Sequence, residues 1–125
     1  MFVRIYTGAD GESHFEDLTH TVEDGQFGPT AMQAAEGIFF TRSKPGNPGA
    51  RHTAPRRQYV IGLVGEVEIV TGDGTALRFR PGDVLLAEDL TGRGHTTRVV
   101  GDSIRVSAMV PLTEEQGTRN QDQGA

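Results

Sequence analysis

The sequence has no cysteine and no tryptophan, and aromatic residues make up only 6% of it. Without cysteine there are no disulfides and no thiolate metal sites. Basic residues are in the minority: 12 Lys and Arg stand against 17 Asp and Glu, for a formal net charge of −5 at pH 7. A phosphate backbone repels such a chain on average, so nucleic acid is not an expected partner. No apolar run approaches the about 20 residues needed to span a bilayer, so no membrane partner is expected either. The start, MFVRIYTGADGESHFED, lacks a basic segment followed by an apolar stretch. No secretion signal is therefore expected, and a cytoplasmic location is. A Gly-x-Ser-x-Gly elbow, a phosphate-binding loop and a dinucleotide fingerprint are also missing; Gly8–Gly11 is too short and has no strand–helix context. Serine-triad hydrolysis, nucleotide hydrolysis and a nucleotide cofactor drop out with them. No segment longer than about two turns has helical periodicity.

What is present is glycine and proline, 17 and 6 in 125 residues. These residues punctuate a chain at turns, and this many predicts numerous short strands. FVRIY at 2–6 reads as a strand, 9–30 as loop with one strand near 19–23, and AEGIFFTR at 35–42 as another strand. SKPGNPGA at 43–50 cannot be regular structure. RQYVIGLVGEVEIV at 57–70 is dense in β-branched and aromatic residues, and from Gly65 to Val70 it alternates polar with apolar. Thr71–Thr75 signals a turn, 76–80 a returning strand, Pro81-Gly82-Asp83 another tight turn, and 84–87 an apolar strand. Thr91–Gly94 reads as loop, and two strands follow near 95–100 and 103–110. This regular spacing indicates an all-β sandwich or barrel. One domain over 1–112 fits the length. The segment 113–125, TEEQGTRNQDQGA, cannot bury enough apolar surface and is expected to be disordered.

The pattern Gly46, His52, Ala54, Gln58, Gly65 resembles the first motif of the cupins, and Pro81-Gly82-Asp83 with Gly92-Arg93-Gly94-His95 resembles the ends of the second. The resemblance covers about residues 36–110 and implies a cupin-type double-stranded β-helix, or jelly-roll, barrel. In metal-binding cupins the positions of Ala54 and Gln58 hold a second His and then a Glu or a third His. Glu88 stands where the second motif has Pro, and Val99 replaces an Asn. The glycine and turn framework is thus present, with half of the metal-ligand set. The chain also resembles small single-domain cupins in which AEDLTGRGH has close counterparts. The resemblance further implies a homodimer, to which FVRIY as a ready edge strand lends some support.

Residues two apart on a strand face one side, so His52, Ala54, Arg56, Gln58 and Val60 share a pocket wall, with His95 and Thr97 facing the same interior from another strand. His52 and His95, with Gln58 as an oxygen donor, form the expected ligand set for a divalent transition metal such as Zn, Fe, Ni or Mn. The alternatives are a histidine acting as general base without metal, or two imidazoles that merely hydrogen-bond inside the barrel. Asp89 is the third candidate catalytic residue, as ligand, acid–base group or the partner that orients His95, and it is preferred to Glu88. A turn-capping carboxylate is the plainer reading of either. Arg56 is placed to recognise a substrate carboxylate together with Gln58, the plainer reading being a rim arginine. His14 and His20 lie in polar loops and are left outside the site. The expected function is to bind a small polar or anionic organic molecule in the pocket, with metal-dependent isomerase, lyase or oxygenase chemistry. The alternatives are a ligand-binding or sensor module without turnover or metal, and a structural dimer with a vestigial pocket. The fold does not choose among them.

Overall fold

The computed structural model describes residues 1–23, 27–46 and 49–113. Among these residues nine strands run in chain order: β1 Phe2–Thr7, β2 Ser13–Asp17, β3 Phe39–Ser43, β4 Gln58–Val64, β5 Glu66–Thr71, β6 Ala76–Phe79, β7 Val84–Glu88, β8 His95–Val100 and β9 Arg105–Pro111. One helical turn, α1, spans Thr19–Glu23. The strands form a six-stranded sheet in the order β2-β1-β7-β4-β9-β3 and a three-stranded sheet in the order β6-β5-β8. The two sheets face each other across a central cavity. No described helix is long and apolar enough to cross a membrane.

Alternation along the strands decides what faces the cavity. Gln58 and Val60 on β4, Val67 and Ile69 on β5, Leu85 and Ala87 on β7, and Arg105, Ser107 and Met109 on β9 all line it. Each set is spaced by two, as the pleat requires. Val3, Ile5, Ala54, Val67, Ile69, Phe79, Leu85 and Ala87 form the buried apolar cluster.

Four expectations need correction. The strand expected near 19–23 lies at 13–17, and 19–23 is α1. SHFED has a single apolar residue and no strand signature of its own; it becomes a strand because it pairs antiparallel with β1. The Asp17 carboxylate then accepts the Thr19 N–H and turns the chain into α1. Second, β3 starts at Phe39, and Ala35 makes only a lone bridge to Leu112. Third, β1 is not an edge: it is parallel to β7 and antiparallel to β2, with Ile5 fully buried. The edge-strand support for pairing between copies falls away. Fourth, 52–57 is not a strand. His52 makes one bridge to His95, and the chain bends over Pro55–Arg57, where a proline without an N–H cannot extend a ladder. The expected disorder of 113–125 lies outside the described residues beyond Thr113.

Candidate functional site

The cavity encloses about 420 Å³ between the sheets. His52, Ala54, Arg56, Gln58, His95 and Thr97 all line it, despite the irregular backbone from 52 to 57. The two imidazoles meet with centroids 4.9 Å apart and planes inclined by 55°. Paired backbone hydrogen bonds bring them together: His52 N–H to the His95 carbonyl at 2.9 Å, and His95 N–H to the His52 carbonyl at 2.8 Å. This close approach depends on Gly94. A β-carbon there would collide with the His52 carbonyl, and its φ of +76° is one that side-chain-bearing residues rarely adopt.

The two rings differ in setting. His52 is exposed at the rim, its Nδ1 3.1 Å from the Ala50 carbonyl oxygen. A carbonyl only accepts, so Nδ1 carries a proton. His95 is buried, with 6% of its surface accessible. Its Nδ1 lies 2.6 Å from Asp89 Oδ2, and the same oxygen accepts the Ser13 hydroxyl at 2.7 Å. Asp89 and Ser13 are both fully buried. Asp89 does not reach the cavity; it sits behind His95, fixes its ring and leaves Nε2 as the free nitrogen. Asp89 Oδ1 is buried without a hydrogen-bond partner. The Ala54 N–H donates to the Asp89 carbonyl and so ties the two cavity walls together.

The other candidates are placed as follows. Gln58 is buried and lines the cavity, but its Oε1 already accepts from Arg56 Nη1 at 3.1 Å. Arg56 is exposed at the mouth, its guanidinium 5.9 Å from the centroid of the Phe39 ring. Glu88 faces away from the cavity and joins Arg4 Nε, at 2.6 Å, to Arg57. Arg51 stands 3.9 Å from Glu12. His14 is bonded to Asp10, a partner that raises its pKa, and neither it nor the exposed His20 lines the cavity. Among the described residues no three His, Cys, Asp or Glu side chains gather where they could hold a metal ion. The available donors are the two imidazoles, and Gln58 is an imperfect third while a guanidinium occupies its oxygen.

Sequence reasoning misses three residues. Ser13 carries no signal, because its partner Asp89 is 76 positions away. Arg105 and Ser107 do carry one: on β9 they share parity with Met109 in an apolar strand, so a charged residue points inward. Both are 5% accessible and line the cavity. Among the described residues the one hydrogen bond from the Arg105 guanidinium runs to the Phe79 carbonyl at 3.5 Å, and no carboxylate lies within ion-pair distance of it.

No family model and no curated protein matches the sequence. Solved structures do match the fold. A cupin 2 conserved barrel domain protein from Salinispora arenicola superposes with a TM-score of 0.50 at 20% identity, over 69% of this chain and 70% of that one. A Neisseria meningitidis protein is similar at 15% identity and a TM-score of 0.47, over 78% of this chain and 98% of that one. Two facing sheets, strands closing around a central cavity and the likeness to the Salinispora barrel lead to one conclusion: this chain is a cupin-fold protein.

Proposed function

We propose that the barrel cavity binds a small anionic organic molecule and presents it to His95, whose free Nε2 takes or gives a proton. The observation that carries this reading is the charge of the lining. The cavity holds two arginines and two histidines and no carboxylate among the described residues, in a chain whose net charge is −5. The buried one of the arginines, Arg105, favours an anion most, because solvent does not screen a cation removed from water. The volume suits a metabolite-sized ligand. Asp89 holds His95 from behind, so the ring meets the ligand in one tautomer and one orientation. The chemistry that suits a positioned imidazole without further groups is proton transfer, as in an isomerase or a lyase. A binding or sensor module uses the same site without turnover.

A second reading places a transition-metal ion, Zn, Fe, Ni or Mn, between His52 and His95. The 4.9 Å ring separation favours it, with both Nδ1 atoms engaged elsewhere. When bound, the ion would polarise a carbonyl or enolate oxygen of the ligand. His52 and His95 would hold it, and Gln58 would join them only by giving up Arg56.

Ring NMR signals of His52 and His95 test the main reading, recorded with a panel of small organic acids and neutral sugars. Acids should move both signals and raise the melting temperature, since a ligand of the native state stabilises it; sugars should do neither. If no acid moves either ring, the cavity is not a site for anions. Following each binding acid over time then separates enzyme from binder, with His95→Ala abolishing any conversion.

A further inference from the structure

We infer that the ligand's carboxylate docks on Arg105, at the end of the cavity away from the histidines, and that the ligand's body, running from there towards the histidines, is largely apolar. The inference rests on the cavity binding an anion and adds which group receives it.

The placement follows from register. On β5, Thr71 lies beside His95, and Val67 lies between Val99 and Phe79. Arg105 reaches the Phe79 carbonyl. Four residues of strand separate these levels, about 13 Å at the usual rise. On β4, Gln58 is likewise four residues from Gly62, against which the Arg105 guanidinium rests. An added β-carbon at Gly62 would stand 3.1 Å from the Arg80 carbonyl and 3.4 Å from both Nη atoms. The cavity thus has a cation at one end and an imidazole pair at the other.

Arg105 is the better anchor of the two arginines. Arg56 is exposed and already bonded to Gln58. Arg105 is buried, and its one bond, to Phe79, is at the limit of hydrogen-bond length. Asp83, whose charge acts on it, is occupied by the N-terminal ammonium and the Arg80 N–H. Burial of this side chain disfavours its charged form, and a bound carboxylate would offset that cost with charge-assisted hydrogen bonds. Ser107 is two residues along the same face, buried, with its hydroxyl 3.8 Å from the Met109 sulfur, a weak acceptor. That hydroxyl can donate to the same carboxylate. Between the two ends the walls include Val60, Ile69 and Leu85, with Thr97 beside Ile69, and they suit a largely hydrocarbon body.

Titration calorimetry with linear carboxylates from acetate to octanoate, beside the matching primary amides, tests this. Affinity should climb about 3- to 4-fold per methylene. Each amide should bind about 10- to 100-fold more weakly than its acid, the range for a charge-assisted hydrogen bond. Arg105→Met should cost the acids that same factor and leave the amides unchanged, while Arg56→Ala stays within about 3-fold for the acids. The Arg105 Nε–H signal of the unaltered protein should move with acids only, and it decides the matter if Arg105→Met does not fold. Amides that bind as tightly as acids, or acids that leave the Arg105 signal in place while moving the histidine rings, overturn the inference and spare the anion site. Acids that move neither set of signals overturn both.

Discussion

Gly94 lies directly against the carbonyl of His52, with no room for a β-carbon between them. The bridge that joins the two histidines is built on that contact. Gly94→Ala should therefore displace His52 as well as strain the backbone. Gly74 is the control: its φ of +88° is similar, but nothing lies near its missing β-carbon. Gly74→Ala should cost about 1–2 kcal/mol for conformation alone, and Gly94→Ala clearly more, by urea denaturation. Only Gly94→Ala should shift the His52 ring signals. Equal costs would mean that the contact with His52 is unimportant.

Ser13, Asp89 and His95 form a buried chain of hydrogen bonds sharing one carboxylate oxygen. Ser13→Ala removes one neutral donor and should cost about 1 kcal/mol. Asp89→Ala leaves both Ser13 and the His95 ring without their acceptor and should cost about 2–4 kcal/mol, with His95 no longer held in one tautomer. Ring nitrogen shifts of His95 report the tautomer independently of stability. A single, unchanged tautomer in Asp89→Ala would remove Asp89 from its positioning role.

If a metal binds between the histidines, Arg56 opposes it, since its guanidinium takes the Gln58 oxygen and adds a positive charge at the mouth. Arg56→Ala should then tighten zinc or nickel binding, by about 10-fold if Gln58 is released to coordinate. His52→Ala and His95→Ala should each abolish it. The measurement is metal content and affinity in protein purified without chelator or nickel resin. Weaker binding in Arg56→Ala would contradict this account of Gln58.

The turn after β5 has a defined acid dependence. Asp73 accepts from the Thr71 hydroxyl and the Thr75 N–H, and these bonds hold its pKa down at about 2, against 3.8 ordinarily. A depressed carboxylate stabilises the fold above its unfolded pKa and loses that contribution as pH falls through the folded one. The difference in melting temperature between the native chain and Asp73→Asn should be constant above about pH 5 and shrink from about pH 4 to pH 2. A difference that grows with acid would reverse the sign and refute the assignment.

Much of the barrel is legible in the residues. The alternation of Glu66–Val70, the turns at 71–75 and 81–83 and the apolar run 84–87 each mark a strand or its end, because side chains on a pleat sort to two faces by local chemistry. Gln58 and His95 lie on the cavity within their strands, whereas His52 and Arg56 line it from an irregular backbone that parity does not describe. β2 is not legible, since its strand character comes from the backbone of β1. The interior position of β1 is equally hidden, because it depends on a parallel neighbour, β7, about 80 positions away.

By itself, then, the sequence determined that this is a glycine-punctuated all-β barrel, since periodicity and turn chemistry are local. Only the tertiary structure decided which groups are partners: Asp89 and Ser13 behind His95, Arg56 on Gln58, Glu88 spent on Arg4 and Arg57, and Arg105 inside the cavity with no carboxylate of the described residues at ion-pair distance. Electrostatic pairing acts through space between strands distant in sequence, and no local pattern encodes it.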